Sequence, residues 1–149
     1  MNIFEQINED IKKAMLAKEK EKLEALRAIK AAFLLAKTAE GGNGELSDEQ
    51  GLKIIQKLIK QRQDAAEIYK QQNRMDLYEP ENFQAQVIAT YLPAQMSEDE
   101  VKNAVSQIIV ELGAASIKDM GKVMAEANKC LSGKTDSKTL SVIVKNLLS

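Results

Sequence analysis

Apolar residues recur along this chain at helical spacing. Ile3, Ile7, Ile11 and Met15 are four apart, which places them along one face of an amphipathic helix over residues 3–16. The charged run Lys18-Glu-Lys-Glu-Lys22 follows, and Leu23, Leu26, Ile29 and Phe33 predict a second helix to about Thr38. The stretch GGNG, Gly41 to Gly44, reads as a flexible connection. Ser47-Asp-Glu-Gln50 has the spacing of a capping box, in which the serine accepts from the first turn and the glutamine reaches back. Leu52, Ile55, Leu58 and Ile59 carry the long helix that it opens, to about Gln72. Residues 73–79 read as a turn or short irregular link. Pro80 is expected in the first turn of a fourth helix, where a missing N–H is tolerated. Phe83, Val87, Ile88, Tyr91 and Leu92 form that helix's apolar face.

Pro93 stops the pattern, and 93–96 is the best linker between a domain at 1–92 and a smaller one at 97–149. Ser97-Glu-Asp-Glu100 is a second capping box. Val101, Val105, Ile108 and Leu112 follow it, with Gly113 at the left-handed C-terminal position. Ser116-Ile-Lys-Asp119 has the same form with Asp in the return position. Met120, Val123, Met124, Ala127 and Leu131 make one apolar face, and Gly133 falls just past its end. Asp136 is placed to cap a last helix carrying Leu140, Ile143, Val144 and Leu147. The expectation is all-α: about four helices in the N-terminal domain and three in the C-terminal one. At about 55 residues the smaller domain is marginal alone.

Composition agrees with that class. The chain has 149 residues, 44% hydrophobic and 29% charged, with only two prolines and 4% aromatics. No apolar run reaches membrane-spanning length, and no basic start followed by an apolar core marks a secretory leader. A lone cysteine suits a reducing interior, and the cytosol is the compartment expected. There is no histidine. That removes the commonest general base, a Cys–His pair and the usual zinc ligands. No metal or other cofactor is expected.

The stretch NKCLSGKT, 128–135, ends like a phosphate-binding loop. That loop needs glycine where Asn128 stands, after a strand and before a helix. The residues before Gly133 have helical periodicity instead, so the stretch reads as a helix–glycine–helix turn. Charge is segregated around it. Residues 97–112 hold one lysine against Glu98, Asp99, Glu100 and Glu111, whereas residues 113–149 hold six lysines against three acids. Lys122 and Lys129 are seven apart and share a face, as do Lys138 and Lys145, and Lys134 lies between the pairs. Lys118 precedes the first pair by one turn if the helix begins there. A solvated surface is the plainer reading, and an anionic partner is the other. With no Phe, Tyr or Trp after Tyr91, base stacking is unavailable, which leaves phosphate and shape recognition of folded RNA. Cys130, at the edge of an apolar face, is expected to be a packed thiol. Gly121 points to close backbone approach, by a neighbouring helix or by a partner.

Several stretches resemble the YqeY family: NEDIKKAMLAKEKEKLEALRAIKAA, KLIKQRQDAAEIYKQQNRMDL, YLPAQMSEDEV, KDMGKVM and SGKTDSKTLSVIVKNLL. Five in order make the resemblance specific over nearly the whole chain. It implies a C-terminal domain similar to the tail of the B subunit of tRNA-dependent amidotransferase, which helps to hold tRNA and performs no chemistry. Gly121 and Lys122 match the family's Gly-Lys, Gly133 and Lys134 its Gly-basic turn. Asp136 and Lys138 match its Asp-Gly-Lys, with Ser137 departing in the middle. The leading expectation is therefore a non-catalytic accessory protein that presents Lys118, Lys122, Lys129, Lys134, Lys138 and Lys145, with Gly121, to tRNA and not to DNA. The alternative is a helical interaction module docking on an aminoacyl-tRNA synthetase or amidotransferase. A carbon–nitrogen ligase with glutamine as amido donor ranks third, because no acid/base or nucleotide site is found.

Overall fold

The computed structural model describes residues 2–39 and 46–149, and the Gly41–Gly44 connection lies outside them. The class is all-α, as expected. The described helices are α1 Ile3–Ala17, α2 Lys20–Thr38, α3 Asp48–Gln71, α4 Met75–Ala89, α5 Glu98–Leu112, α6 Met120–Cys130 and α7 Ser137–Leu148, with a 3₁₀ turn at Ile117–Asp119. The chain divides into two compact units, Met1–Leu92 and Pro93–Ser149.

In the first unit, α1 starts on a reciprocal cap that the periodicity did not reveal. The Glu5 N–H donates to Asn2 Oδ1 at 2.8 Å, and the Asn2 N–H donates back to Glu5 Oε2 at 3.3 Å. The Ser47–Gln50 box is formed, with bonds of 3.2 and 3.0 Å. Lys18 ends α1 at φ 59°, and Asn73 turns α3 into α4 at φ 57°. Asparagine tolerates that left-handed conformation better than lysine does. The core is built from Ile7, Leu26, Ile29, Phe33, Ile55 and Ile88, each at most 1% exposed. Met15 is 53% exposed, and Ala14 is buried in its place. A repeat of four drifts around a 3.6-residue helix, so by its fourth member the stripe has left the core. Across the unit, the Tyr91 hydroxyl donates to Asp10 Oδ2 at 2.5 Å, and Arg62 Nε donates to Gln84 Oε1 at 2.9 Å.

The expected link at 73–79 is helical from Met75, so Pro80 lies inside α4 and not in its first turn. Polar contacts start this helix. The Arg74 carbonyl accepts from the N–H groups of Leu77 and Tyr78 at 3.1 and 2.9 Å, and its guanidinium grips Asp76 at 3.0 and 3.1 Å. A hydrophobic pattern carries no trace of such contacts. Proline's missing donor costs the bond to the carbonyl of Asp76, an exposed residue where water can substitute.

In the second unit α5, α6 and α7 pack pairwise around Val101, Val105, Val123, Ala127, Leu140 and Val144. The Ser97–Glu100 box is formed at 3.2 Å in both directions. Gly113 closes α5 at φ 66°. The segment after Pro93 belongs to this unit: Met96 packs on its core.

Candidate nucleic-acid interface

The turn between α6 and α7 is built as the pattern predicts. Gly133 takes φ 74°, and Asp136 caps α7 by accepting from the Thr139 N–H at 2.6 Å. What precedes Gly133 is helix α6 and not a strand, so the Gly-Lys-Thr sequence lacks the context of a phosphate loop. The turn is also clamped. Gln95 Nε2 donates to the Gly133 carbonyl at 2.7 Å and to the Pro93 carbonyl at 2.9 Å. The Met96 N–H donates to the Lys134 carbonyl at 2.9 Å. Two backbone acceptors of an irregular turn are thereby satisfied by the segment that read as a linker. Gln95 and Met96 were missed because nothing in a linear pattern marks a donor aimed at a turn some forty residues away.

Lys118, Lys122, Lys129, Lys138 and Lys145 are exposed, and Lys134 is half-buried. Lys122 and Lys129 stand opposite the buried Val123 and Ala127 on α6, and Lys138 and Lys145 stand opposite Leu140 and Val144 on α7. Both pairs point away from a common core. They therefore occupy adjoining sides of a convex surface and not one flat patch. Lys118 sits in the 3₁₀ turn and not on α6, so helical spacing does not align it with Lys122. Among the described residues, none of Lys118, Lys122, Lys129 and Lys145 is paired with a carboxylate within 4.0 Å.

Folding reduces the charge segregation at one end. The Met96–Lys134 bond places the first turn of α5, with Glu98, Asp99 and Glu100, beside the α6–α7 turn. Those carboxylates favour the α5 N-terminus and oppose an approaching phosphate there. Near the start of α6, Asp119 is already engaged, accepting from the N–H groups of Ala115 and Ser116 at 2.9 and 3.4 Å. These bonds hold its carboxyl below the usual value, and the nearby Lys122 charge adds to them. On the outward face of α6, Glu126 falls between Lys122 and Lys129 by helical spacing, its carboxylate accepting from the Cys130 thiol at 3.6 Å, whereas α7 carries no acidic residue.

Two other residues fall differently from expectation. No atom outside its own chain segment comes within 4 Å of the place a Cβ would take on Gly121. Close packing by a neighbouring helix is therefore not why glycine stands there, and its backbone is open to solvent. Cys130 is exposed, not packed. It is the last residue of α6, and Leu131, just beyond it, takes the buried position. Partial desolvation, and then the adjacent Glu126 carboxylate, push its thiol above the ordinary value, which makes it a poorer nucleophile.

Among known proteins, the family described as Yqey-like protein matches residues 4–148. A stretch of 107 residues is 31% identical to the protein named "Altered inheritance of mitochondria protein 41, mitochondrial" of Clavispora lusitaniae, covering 70% of this chain and 61% of that one. The protein of the same name from Lachancea thermotolerans is 34% identical over 111 residues, 71% of this chain and 57% of its own length. The similarity thus spans less than two thirds of either relative. No helix among the described residues is long and apolar enough to cross a membrane.

Proposed function

The chain belongs to the YqeY family, and from that premise we propose that it is a non-catalytic accessory protein whose C-terminal unit holds folded RNA, with tRNA as the class the family resemblance implies. The observation that carries this reading is the outward face of α6. Lys122 and Lys129 are exposed there with no carboxylate within 4.0 Å among the described residues, and the open backbone of Gly121 adjoins them. Ammonium groups of this kind neutralise phosphates and release counterions, a source of affinity that needs no aromatic platform. A convex surface with two lysine-bearing sides suits a groove or bend of a folded RNA better than an extended single strand.

The chain has no reaction of its own on this reading. It contains no histidine, and its one thiol is held in the protonated direction. A lone, exposed thiol suits a reducing compartment, which fits the cytosol and equally the mitochondrial interior suggested by the relatives' name.

The test is binding to bulk tRNA across a salt series. The logarithm of affinity is expected to fall linearly with the logarithm of salt concentration, and K122E/K129E is expected to weaken binding and reduce the slope by about 2. Absence of binding at low salt, or indifference to both substitutions, would overturn the reading.

A further inference from the structure

The N-terminal unit carries a second surface, of opposite character. Phe83 belongs by spacing to the apolar face of α4, yet it is 37% exposed. It lies five residues before the buried Ile88, about 140° around the helix at 3.6 residues per turn. It faces the first turn of α2 instead. Two adjoining hollows share Phe83 and Glu21. The first, of ≈ 290 Å³, is walled by the side chains of residues 19–22. Lys22 and Glu19 pair there at 3.6 Å, which lays their aliphatic stems along its wall. The second, of ≈ 380 Å³, is bounded on its charged side by Glu21, Asp76 and Glu79, and no lysine or arginine lines it. Asp76 is already committed to Arg74 at 3.0 Å. Glu21 and Glu79 are not committed to any ion pair within 4.0 Å among the described residues.

We propose that this groove is a docking site for a segment of a partner protein that carries an arginine or lysine beside a bulky apolar residue, the apolar side chain seated on Phe83 and the cation between Glu21 and Glu79. Charge complementarity selects this occupant. The two uncommitted carboxylates outnumber Lys20, the one lysine lining the hollows that is outside any ion pair within 4.0 Å among the described residues, and repel a phosphate backbone, which sets the groove apart from the lysine face of the other unit. They attract a cationic side chain, and a solvent-facing phenylalanine is the kind of anchor on which interfaces concentrate affinity. A second copy of this chain is the competing occupant, since its own lysines could reach the carboxylates.

The test uses the full chain, ¹⁵N-labelled, with two short fluorescein-labelled amphipathic peptides as probes. One is composed of Leu, Ala and Arg, and the other has Glu in place of Arg. The arginine peptide is expected to bind at low salt and to shift amides of residues 19–22 and 76–86. F83A is expected to weaken it at least about tenfold, equivalent to 1.4 kcal/mol. E21Q/E79Q should weaken it and flatten its salt dependence, and K122E/K129E should leave it unchanged. Should F83A fail to fold, E21Q/E79Q carries the test by itself. The proposal is overturned if the arginine peptide does not bind, if the glutamate peptide binds equally, or if F83A and E21Q/E79Q both leave affinity intact. It is also overturned if sedimentation shows a dimer that F83A dissolves, because the occupant is then a second copy.

Discussion

Replacing Gly121 with alanine separates a glycine kept for folding from one kept for a partner. Gly121 is the second residue of α6, its backbone does not adopt a positive φ, and an added Cβ meets nothing within 4 Å. Strain and clash are therefore absent, and only conformational entropy changes. Glycine costs a helix about 0.5–1 kcal/mol relative to alanine, and a site in the first turn belongs at the lower end of that range. Gly121→Ala is expected to stabilise the C-terminal unit by about 0.5 kcal/mol, raising its Tm by about 2–4 °C at the scaling of a small domain. Thermal unfolding followed by circular dichroism reads this directly. The same variant is expected to bind tRNA more weakly than the parent, because a methyl group stands where the phosphate backbone would approach. Higher stability with unchanged tRNA affinity would remove Gly121 from the interface. A loss of stability would refute the packing argument itself, since it requires a close contact that the structure does not contain.

Tyr91→Phe removes the hydroxyl bonded to Asp10 across the first unit and is expected to cost about 1.5 kcal/mol, the low end for a bond to a charged acceptor at a half-buried site, measured by urea unfolding. Burial, and then Asp10, raise the Tyr91 pKa in the folded state above its unfolded value. Its contribution is therefore complete below about pH 10 and is lost as pH rises beyond it, so the variant should show a flatter alkaline arm in a stability–pH profile. Lys18 holds φ 59° at the end of α1, and Lys18→Gly is expected to stabilise the N-terminal unit by about 0.5–1 kcal/mol, read as an increase in its Tm. Asp136→Ala removes the cap of α7, and about 1 kcal/mol of destabilisation of the C-terminal unit is expected in chemical unfolding.

The fold was legible wherever packing and capping speak through local spacing. The boxes at Ser47, Ser97 and Ser116 are in place, as are the left-handed glycines at 113 and 133 and the apolar faces of α5 and α6; on α7, Leu140, Ile143 and Val144 are buried as expected, but Leu148 is buried in place of Leu147, which is 40% exposed. It was illegible where one polar contact overrides the pattern. Arg74 and Asp76 start α4 within a stretch whose hydrophobicity has no period, and this moved Pro80 into the helix. The site followed the same division. Helical spacing placed Lys122 with Lys129 and Lys138 with Lys145, each pair opposite its core face. Two properties depended on tertiary structure: the divergence of the two pairs around a common core, and the return of the α5 carboxylates to the α6–α7 turn through Met96. Neither a bond between residues 96 and 134 nor the empty space over Gly121 has a one-dimensional signature.

The most direct measurement is a titration of the ¹⁵N-labelled full chain with bulk tRNA at low salt, followed amide by amide. Perturbations are expected to concentrate at residues 118–122, at 129 and around 138–145, with those of α1 to α4 unmoved. Perturbations confined to α1 to α4, or none at all, would contradict an RNA-holding role for the lysine surface.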